Sequence, residues 1–288
     1  VSNLSLRQLS FHFWERLVKL SNAEIISKIS NNFYDAYLLS ESSLFVQDHR
    51  FFMITCGQTS LSESAFFFIN SHRKHIHSVF YQRKNQILPE LQPTTPETDI
   101  QHLKRLLSGQ SVVLGESKGH FNHIFYYENP QSSMYKVPAP TFELLMYDIT
   151  NQTQDVFTEL KKNHDVRQSV RELFKNTKLF SDFKIDDFVF SPCGYSANGL
   201  LNSYFFTIHV TPQKECSYAS FESNIPLLSF DPLLMHKVFN IFKPKICDVI
   251  FLQSNPLHTH FEQPITTILG RNYKVFFYPR LSDQTFNE

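Results

Sequence analysis

Residues 188–212 read FVFSPCGYSANGLLNSYFFTIHVTP. The aromatic and β-branched run through Tyr204 to Thr211 has the composition of a strand. If Phe188 to Ser196 and Phe205 to Val210 pair as a hairpin centred between Asn202 and Ser203, antiparallel register sets Ser196 opposite His209 on one face. A strand pair of this kind commits the second half of the chain to antiparallel sheet.

Outward from that pair, Ser217 to Glu222, Ile246 to Leu252 and Tyr273 to Tyr278 read as further strands, with a helix starting at Asp231-Pro232 and ending before Pro244. Towards the N-terminus, Leu6, Leu9, Phe13, Leu17 and Leu20 recur at helical spacing, and Trp14 and Val18 widen the stripe. Short extended segments follow at Glu24 to Ile29, Phe33 to Leu39, Ser43 to Val46 and Phe51 to Thr55. Helices are expected at Leu61 to Ser71, Thr98 to Leu107, Gln152 to Lys161 and Asp165 to Lys175. Strands are expected at His77 to Tyr81, Ser111 to Leu114, Phe121 to Tyr127 and Phe142 to Ile149. Runs of strands broken by helices, without strict alternation, indicate an α+β layered fold. No repeat or low-complexity linker divides residues 1–288, which read as a single domain.

Composition removes several function classes. Lys plus Arg and Asp plus Glu are 27 each, so no electrostatic footprint points to nucleic acid. Apolar runs such as Ala65 to Ile69 are far shorter than the roughly 20 residues of a membrane span, and no signal segment opens the chain. It is read as soluble and cytoplasmic. Thirty Phe and twelve Tyr against seven Gly favour sheet over glycine-rich phosphate loops. The four cysteines, Cys56, Cys193, Cys216 and Cys247, form no CxxC pair and read as reduced thiols. His75 with His77, and His258 with His260, have the spacing of one strand face, but no further ligands are tied to them, so they are taken as surface histidines and no metal is expected.

The stretch Tyr37 to Val46, YLLSESSLFV, puts three hydroxyls and a carboxylate into a strand-like sequence, and TCG follows at Thr55 to Gly57. With FYQRKN at 80–85, SPCGYSANG at 191–199, TIHVTP at 207–212, SYASFESN at 217–224 and FKP at 242–244, these blocks resemble, in order and over nearly the whole chain, the eukaryotic pyruvoyl-dependent S-adenosylmethionine decarboxylases, in wording closest to fungal members. The resemblance implies a four-layer αββα sandwich of two antiparallel sheets flanked by helices. It also implies decarboxylation of S-adenosylmethionine to the aminopropyl donor for spermidine and spermine. Removing carbon dioxide from an amino acid needs an electron sink on the amine; here a pyruvoyl group made from an internal serine takes the place of pyridoxal phosphate.

Carried over residue by residue, the resemblance makes Ser42 the pyruvoyl precursor and Glu41–Ser42 the bond cut, giving chains 1–41 and 42–288. Ser196 and His209 match the processing pair, and Cys56 the proton donor. Phe190 matches an aromatic that stacks on adenine, and the backbone near Leu39 and Glu41 meets the same base. Gln213 stands where better-known members place a ribose-binding glutamate, which weakens that contact. Thr141, Glu143 and Glu222 match a diamine site, but Ile54 replaces a lysine and Ala139 an aspartate, so putrescine is expected to stimulate weakly or not at all. The partners implied are the substrate and the two chains of one proenzyme, or a homodimer of that pair, with no nucleic acid and no membrane. The family's opening FEGxEK-type strand does not precede Leu6 and is expected upstream of Val1. The alternative is a catalytically inactive regulatory paralogue.

Overall fold

The computed structural model describes residues 5–84, 89–115, 120–130, 140–157, 166–176, 179–213, 217–253, 264–269 and 273–282. Strands β1 (Ile25–Ser30), β2 (Asp35–Leu39), β3 (Ser42–Val46) and β4 (Phe51–Thr55) form a meander in that order. Strands β5 (Ser78–Lys84), β6 (Gln110–Gly115) and β7 (Phe121–Glu128) form a second small sheet ordered β5-β7-β6. The large sheet takes β8 (Thr141–Ile149), β9 (Lys184–Val189), β10 (Tyr195–Leu201), β11 (Tyr204–Thr211), β12 (Tyr218–Ser223), β13 (Pro244–Gln253), β14 (Ile265–Leu269) and β15 (Tyr273–Leu281), in the order β14-β15-β13-β8-β12-β11-β10-β9.

Helices cover the outer faces. Trp14, Leu17 and Val18 of α1 (Phe11–Leu20) pack on Tyr37, Leu39, Leu44 and Val46 of the meander. Ile69 of α2 (Leu61–His72) and Leu103 of α3 (Pro96–Leu106) pack on Tyr81 and Phe125 of the second sheet. On the far side α4 (Asn151–Val156), α5 (Val166–Asn176), α6 (Leu227–Phe230) and α7 (Leu234–Phe242) lie along the large sheet, with Val170, Phe174, Val238 and Phe239 against Leu144, Met146, Phe206 and Ile208. Between the sheets, Phe45 and Tyr34 meet Phe205 and Leu200, and Leu114 and Ile124 meet Leu145 and Ile250. Helices, small sheets, large sheet and helices make the four layers. Among the described residues no helix is long and apolar enough to cross a membrane.

Strand alternation explains where polar groups gather. On β11, Phe206 and Ile208 face the helices, so Thr207 and His209 face the opposing sheets. The same parity turns Ser196 and Asn198 of β10, Ser220 and Glu222 of β12, Glu143 of β8 and Asp248 of β13 into the space between sheets.

Several expected elements differ. The Leu6–Leu20 helix breaks into a 3-10 turn at Leu6–Gln8 and α1, because Ser10 is extended and its hydroxyl caps the Phe13 N–H. Phe188 to Ser196 is not one strand: β9 stops at Val189, Pro192 and Gly194 (φ +122°) turn the chain, and β10 is the true partner of β11. Strand β14 and helix α6 were not expected. His75 sits in a 3-10 turn, so it shares no strand face with the exposed His77; His258 and His260 lie outside the described residues.

Among the described residues the two small sheets do not join. Strands β4 and β5 are facing edges across a cavity of about 870 Å³, whose walls include Met53, Ile54, Phe68, Val79 and Tyr81 and whose floor is Glu143, Tyr218 and Glu222. An apolar edge strand left beside such a slot is a template for another strand.

Candidate active site

The register Leu39↔Ser42 leaves Ser40 and Glu41 as a two-residue hairpin turn. That turn is tied down: Ser40 N–H donates to the Glu24 carbonyl at 2.9 Å, and the Ser40 hydroxyl accepts from Glu24 N–H at 3.0 Å. Ser42 pays the conformational cost, with φ +117°, a region side-chain-bearing residues rarely adopt; such a residue stores about 1–3 kcal/mol. The residue is 2% exposed. The Glu41 carbonyl accepts the Cys56 N–H at 3.1 Å, the geometry that would stabilise negative charge developing on that oxygen.

The hairpin is registered on the large sheet by contacts that step along it. Phe45 packs on Phe205 with the rings tilted and their centroids 4.8 Å apart. Two residues nearer the turn, the Ser43 hydroxyl donates to Asn198 Oδ1 at 2.6 Å and lies 2.8 Å from Thr207 Oγ1. Continuing in the same direction carries β3 to Ser42 and Glu41 and β10–β11 to Ser196 and His209. Those two residues are cross-strand partners, with Ser196 Oγ 2.6 Å from His209 Nδ1. Burial pushes His209 down to about 4, so the imidazole is neutral near pH 7 and free to accept a proton.

Phe190, half-buried, lies between Phe188 and His209, at 4.9 and 6.2 Å between ring centroids. Leu39 is fully buried in the α1 core, which leaves its backbone alone to serve a ligand. Gln213 is exposed two residues beyond β11. Cys56 Sγ lies 3.8 Å from Glu41 Oε2; burial and that carboxylate push the thiol up, so it keeps its proton. Cys247 is buried with Sγ 3.6 Å from the Asp248 carbonyl, Cys193 is half-buried, and Cys216 lies outside the described residues.

Further along the same face, Glu143 and Glu222 are direct cross-strand partners. Burial pushes Glu143 up to about 7, and burial with the Glu143 charge raises Glu222 well above the ordinary carboxylate range. The Gln82 amide donates to Glu143 Oε2 at 2.9 Å. Ile54 is on the slot wall and Thr141 begins β8; Ala139 lies outside the described residues.

Sequence reasoning missed the Ser43–Asn198–Thr207 bridge and the Gln82 contact. It also missed a buried cluster in which Asp248 holds Lys84 Nζ at 3.1 Å, His120 Nδ1 at 2.8 Å and the Arg280 N–H at 2.8 Å. One charged residue inside the apolar run Ile246 to Leu252 was the available signal. Among the described residues no group of three or more His, Cys, Asp or Glu side chains is arranged to hold a metal.

A family model described as adenosylmethionine decarboxylase matches residues 1–278. The S-adenosylmethionine decarboxylase proenzyme of Dictyostelium discoideum is 33% identical, over 84% of this chain and 65% of that protein. The proenzyme of Drosophila melanogaster is 31% identical over 83% and 74%, and that of Saccharomyces cerevisiae 29% identical over 90% and 78%. The chain thus spans about two-thirds to four-fifths of the relatives it matches. Its fold is that of the Trypanosoma brucei AdoMetDC-delta26 monomer, with a TM-score of 0.58 at 19% identity over 83% of this chain and 99% of the other. The chain belongs to the adenosylmethionine decarboxylase family.

Proposed function

We propose that the full-length protein cuts itself between Glu41 and Ser42 and decarboxylates S-adenosylmethionine. The observation that carries this reading is the Glu41–Ser42 bond itself: it joins a tight turn to a strained serine, its carbonyl already accepts the Cys56 N–H, and the contacts along β3 lead it towards the Ser196–His209 pair. The Ser42 hydroxyl attacks the Glu41 carbonyl carbon, its proton passes to the Ser42 nitrogen as the C–N bond breaks, and an ester with a free amine forms as the strained φ relaxes. Neutral His209 takes the Ser42 α-proton, Glu41 departs as a carboxylate, and water releases ammonia from the dehydroalanine left behind.

Ser42 fits the pyruvoyl precursor by its position and strain. That group supplies a carbonyl able to take up the electrons left when the substrate carboxylate departs. The chain's own residues do the rest. Cys56 holds a proton at Sγ for the substrate carbon. Phe190 offers a ring face to adenine, a stacking contact of about 1–3 kcal/mol in other base-binding sites. The backbone of Leu39 and Glu41 meets the base edge, and Gln213 takes the ribose side. The two products stay associated, since the cut falls between β2 and β3, which remain paired along their length.

The slot supports the expected upstream strand. Leu6 and Leu9 line it, and the Leu6 N–H donates to the Asp48 carbonyl at 2.8 Å, which ties the start of the described chain to the turn that leads into β4. The test is carbon dioxide release from carboxyl-labelled S-adenosylmethionine by the full-length protein. Release that disappears in Ser42→Ala is expected; a cleaved protein that releases none would overturn the reading in favour of a regulatory chain.

A further inference from the structure

The Cys56 thiol touches Glu41 twice, Oε2 at 3.8 Å and the main-chain O at 3.7 Å, and the buried Tyr218 phenol, from the large sheet, is the other titratable group that feels its charge. Self-cleavage uses the Glu41 carbonyl and has no need of its side chain. Yet the sequence makes room for that carboxylate. A Cβ added at Gly57, where φ is +63°, would stand 2.8 Å from Glu41 Oε2, so a side chain at 57 would push the carboxylate away from the thiol. The Ser42↔Thr55 pairing and the Cys56 N–H bond to Glu41 lock the two backbones in register.

We propose that the Glu41 side chain is a positioning residue for the Cys56 thiol, holding one proton on sulfur between turnovers. This rests on the reading that Cys56 supplies the proton to the substrate carbon. Two anions in contact do not both ionise readily, and the thiol is the weaker acid, so the one proton rests on sulfur. In turnover the S–H bond breaks, its proton goes to carbon and its electron pair stays on sulfur. The resulting thiolate beside a carboxylate draws a replacement proton from water, which reaches the half-buried Glu41 and the slot that Cys56 lines. Cleavage strengthens the arrangement, because the elimination that frees Glu41 turns its main-chain oxygen into part of a terminal carboxylate.

The test separates this contact from cleavage and turnover by working in full-length Ser42→Ala, which stays whole. Alkylation of Cys56 by iodoacetamide is followed by peptide mass from neutral to strongly alkaline pH, with Cys193 in the same molecules as the control. Adding Glu41→Gln should lower the Cys56 midpoint by about one pH unit, so alkylation at a fixed pH below it is about tenfold faster, while Cys193 is unchanged. Should the amide variant not fold, Glu41→Asp draws the carboxylate back by one methylene and should shift the midpoint the same way by less. A Cys56 midpoint that stays put in the folded variant overturns the proposal. In the cleaved enzyme, Glu41→Gln should also move the alkaline limb of kcat to lower pH. A protein that never cleaves, or releases no carbon dioxide, refutes the decarboxylase reading while leaving the alkylation shift to be read independently.

Discussion

Two residue pairs on the same face of the large sheet were built by the same strand alternation and ended differently. Ser196 and His209 are complementary, hydrogen-bonded at 2.6 Å and buried on the side of the face that the β2–β3 hairpin covers. Glu143 and Glu222 are alike, repel one another, and face the slot between β4 and β5 with the Gln82 amide as a partner of Glu143. A complementary buried pair stands complete, whereas a like-charged pair stores an electrostatic demand that a further group must meet. The first pair suits the proposed processing chemistry; the second carries that electrostatic demand into the slot.

The largest effect should come from the complementary pair. His209→Ala, followed by the appearance of two bands with time, should slow self-cleavage by about 10²–10⁴-fold, the usual worth of a general base. Unchanged kinetics would remove His209 from processing and make the Ser196 bond a packing contact.

The slot predicts the next effect. A chain beginning at Val1 should cleave slowly or not at all, and extending it with its natural upstream residues should restore cleavage and raise the melting temperature by roughly 5–10 °C, since even two or three newly buried apolar side chains contribute several kcal/mol. Equal melting temperatures and equal cleavage would mean that the slot is not filled by that segment.

The acid pair and His209 should also separate by pH. Glu143 is raised to about 7, so the native state binds more protons than the unfolded chain from the ordinary carboxylate range up to that value, and this contribution to stability is lost as pH rises through it. His209 is lowered to about 4, so the unfolded chain binds more protons between that value and its ordinary pKa of about 6.5, and stability is lost as pH falls. Glu222→Gln should therefore raise the melting temperature by a few degrees on the alkaline side and leave the acid side unchanged. A uniform shift at every pH would show that the pair is not titrating.

Much of this layout was legible. Helical spacing in Leu6 to Leu20 and the two-residue period of Tyr204 to Thr211 named elements because each buries one defined face, and the opposition of Ser196 to His209 followed from a hairpin centre placed between Asn202 and Ser203. The order of the strands was not legible, since nothing local to β13 says that it pairs with β8 and β15. The break at Ser40–Glu41 was legible as the polar turn between the segments Phe33 to Leu39 and Ser43 to Val46. The Asp248 cluster escaped because its partners Lys84 and His120 come from the opposing sheet, a contact that only tertiary packing creates. The slot escaped for the same reason.

The smallest expected effect is that of a diamine. Gln82 already donates to Glu143, and Ile54 stands on the slot wall, so putrescine should leave the rates of cleavage and of carbon dioxide release essentially unchanged. A severalfold rise in either rate would show that Glu143 and Glu222 suffice as a cation site.

The most direct test of the account is the intact mass of the full-length protein after purification and prolonged incubation. The account predicts two chains, the shorter ending at Glu41 and the longer beginning at position 42 with a blocked N-terminus, and a single uncut chain when Ser42→Ala removes the attacking hydroxyl. One uncut chain from the unmodified protein would contradict it.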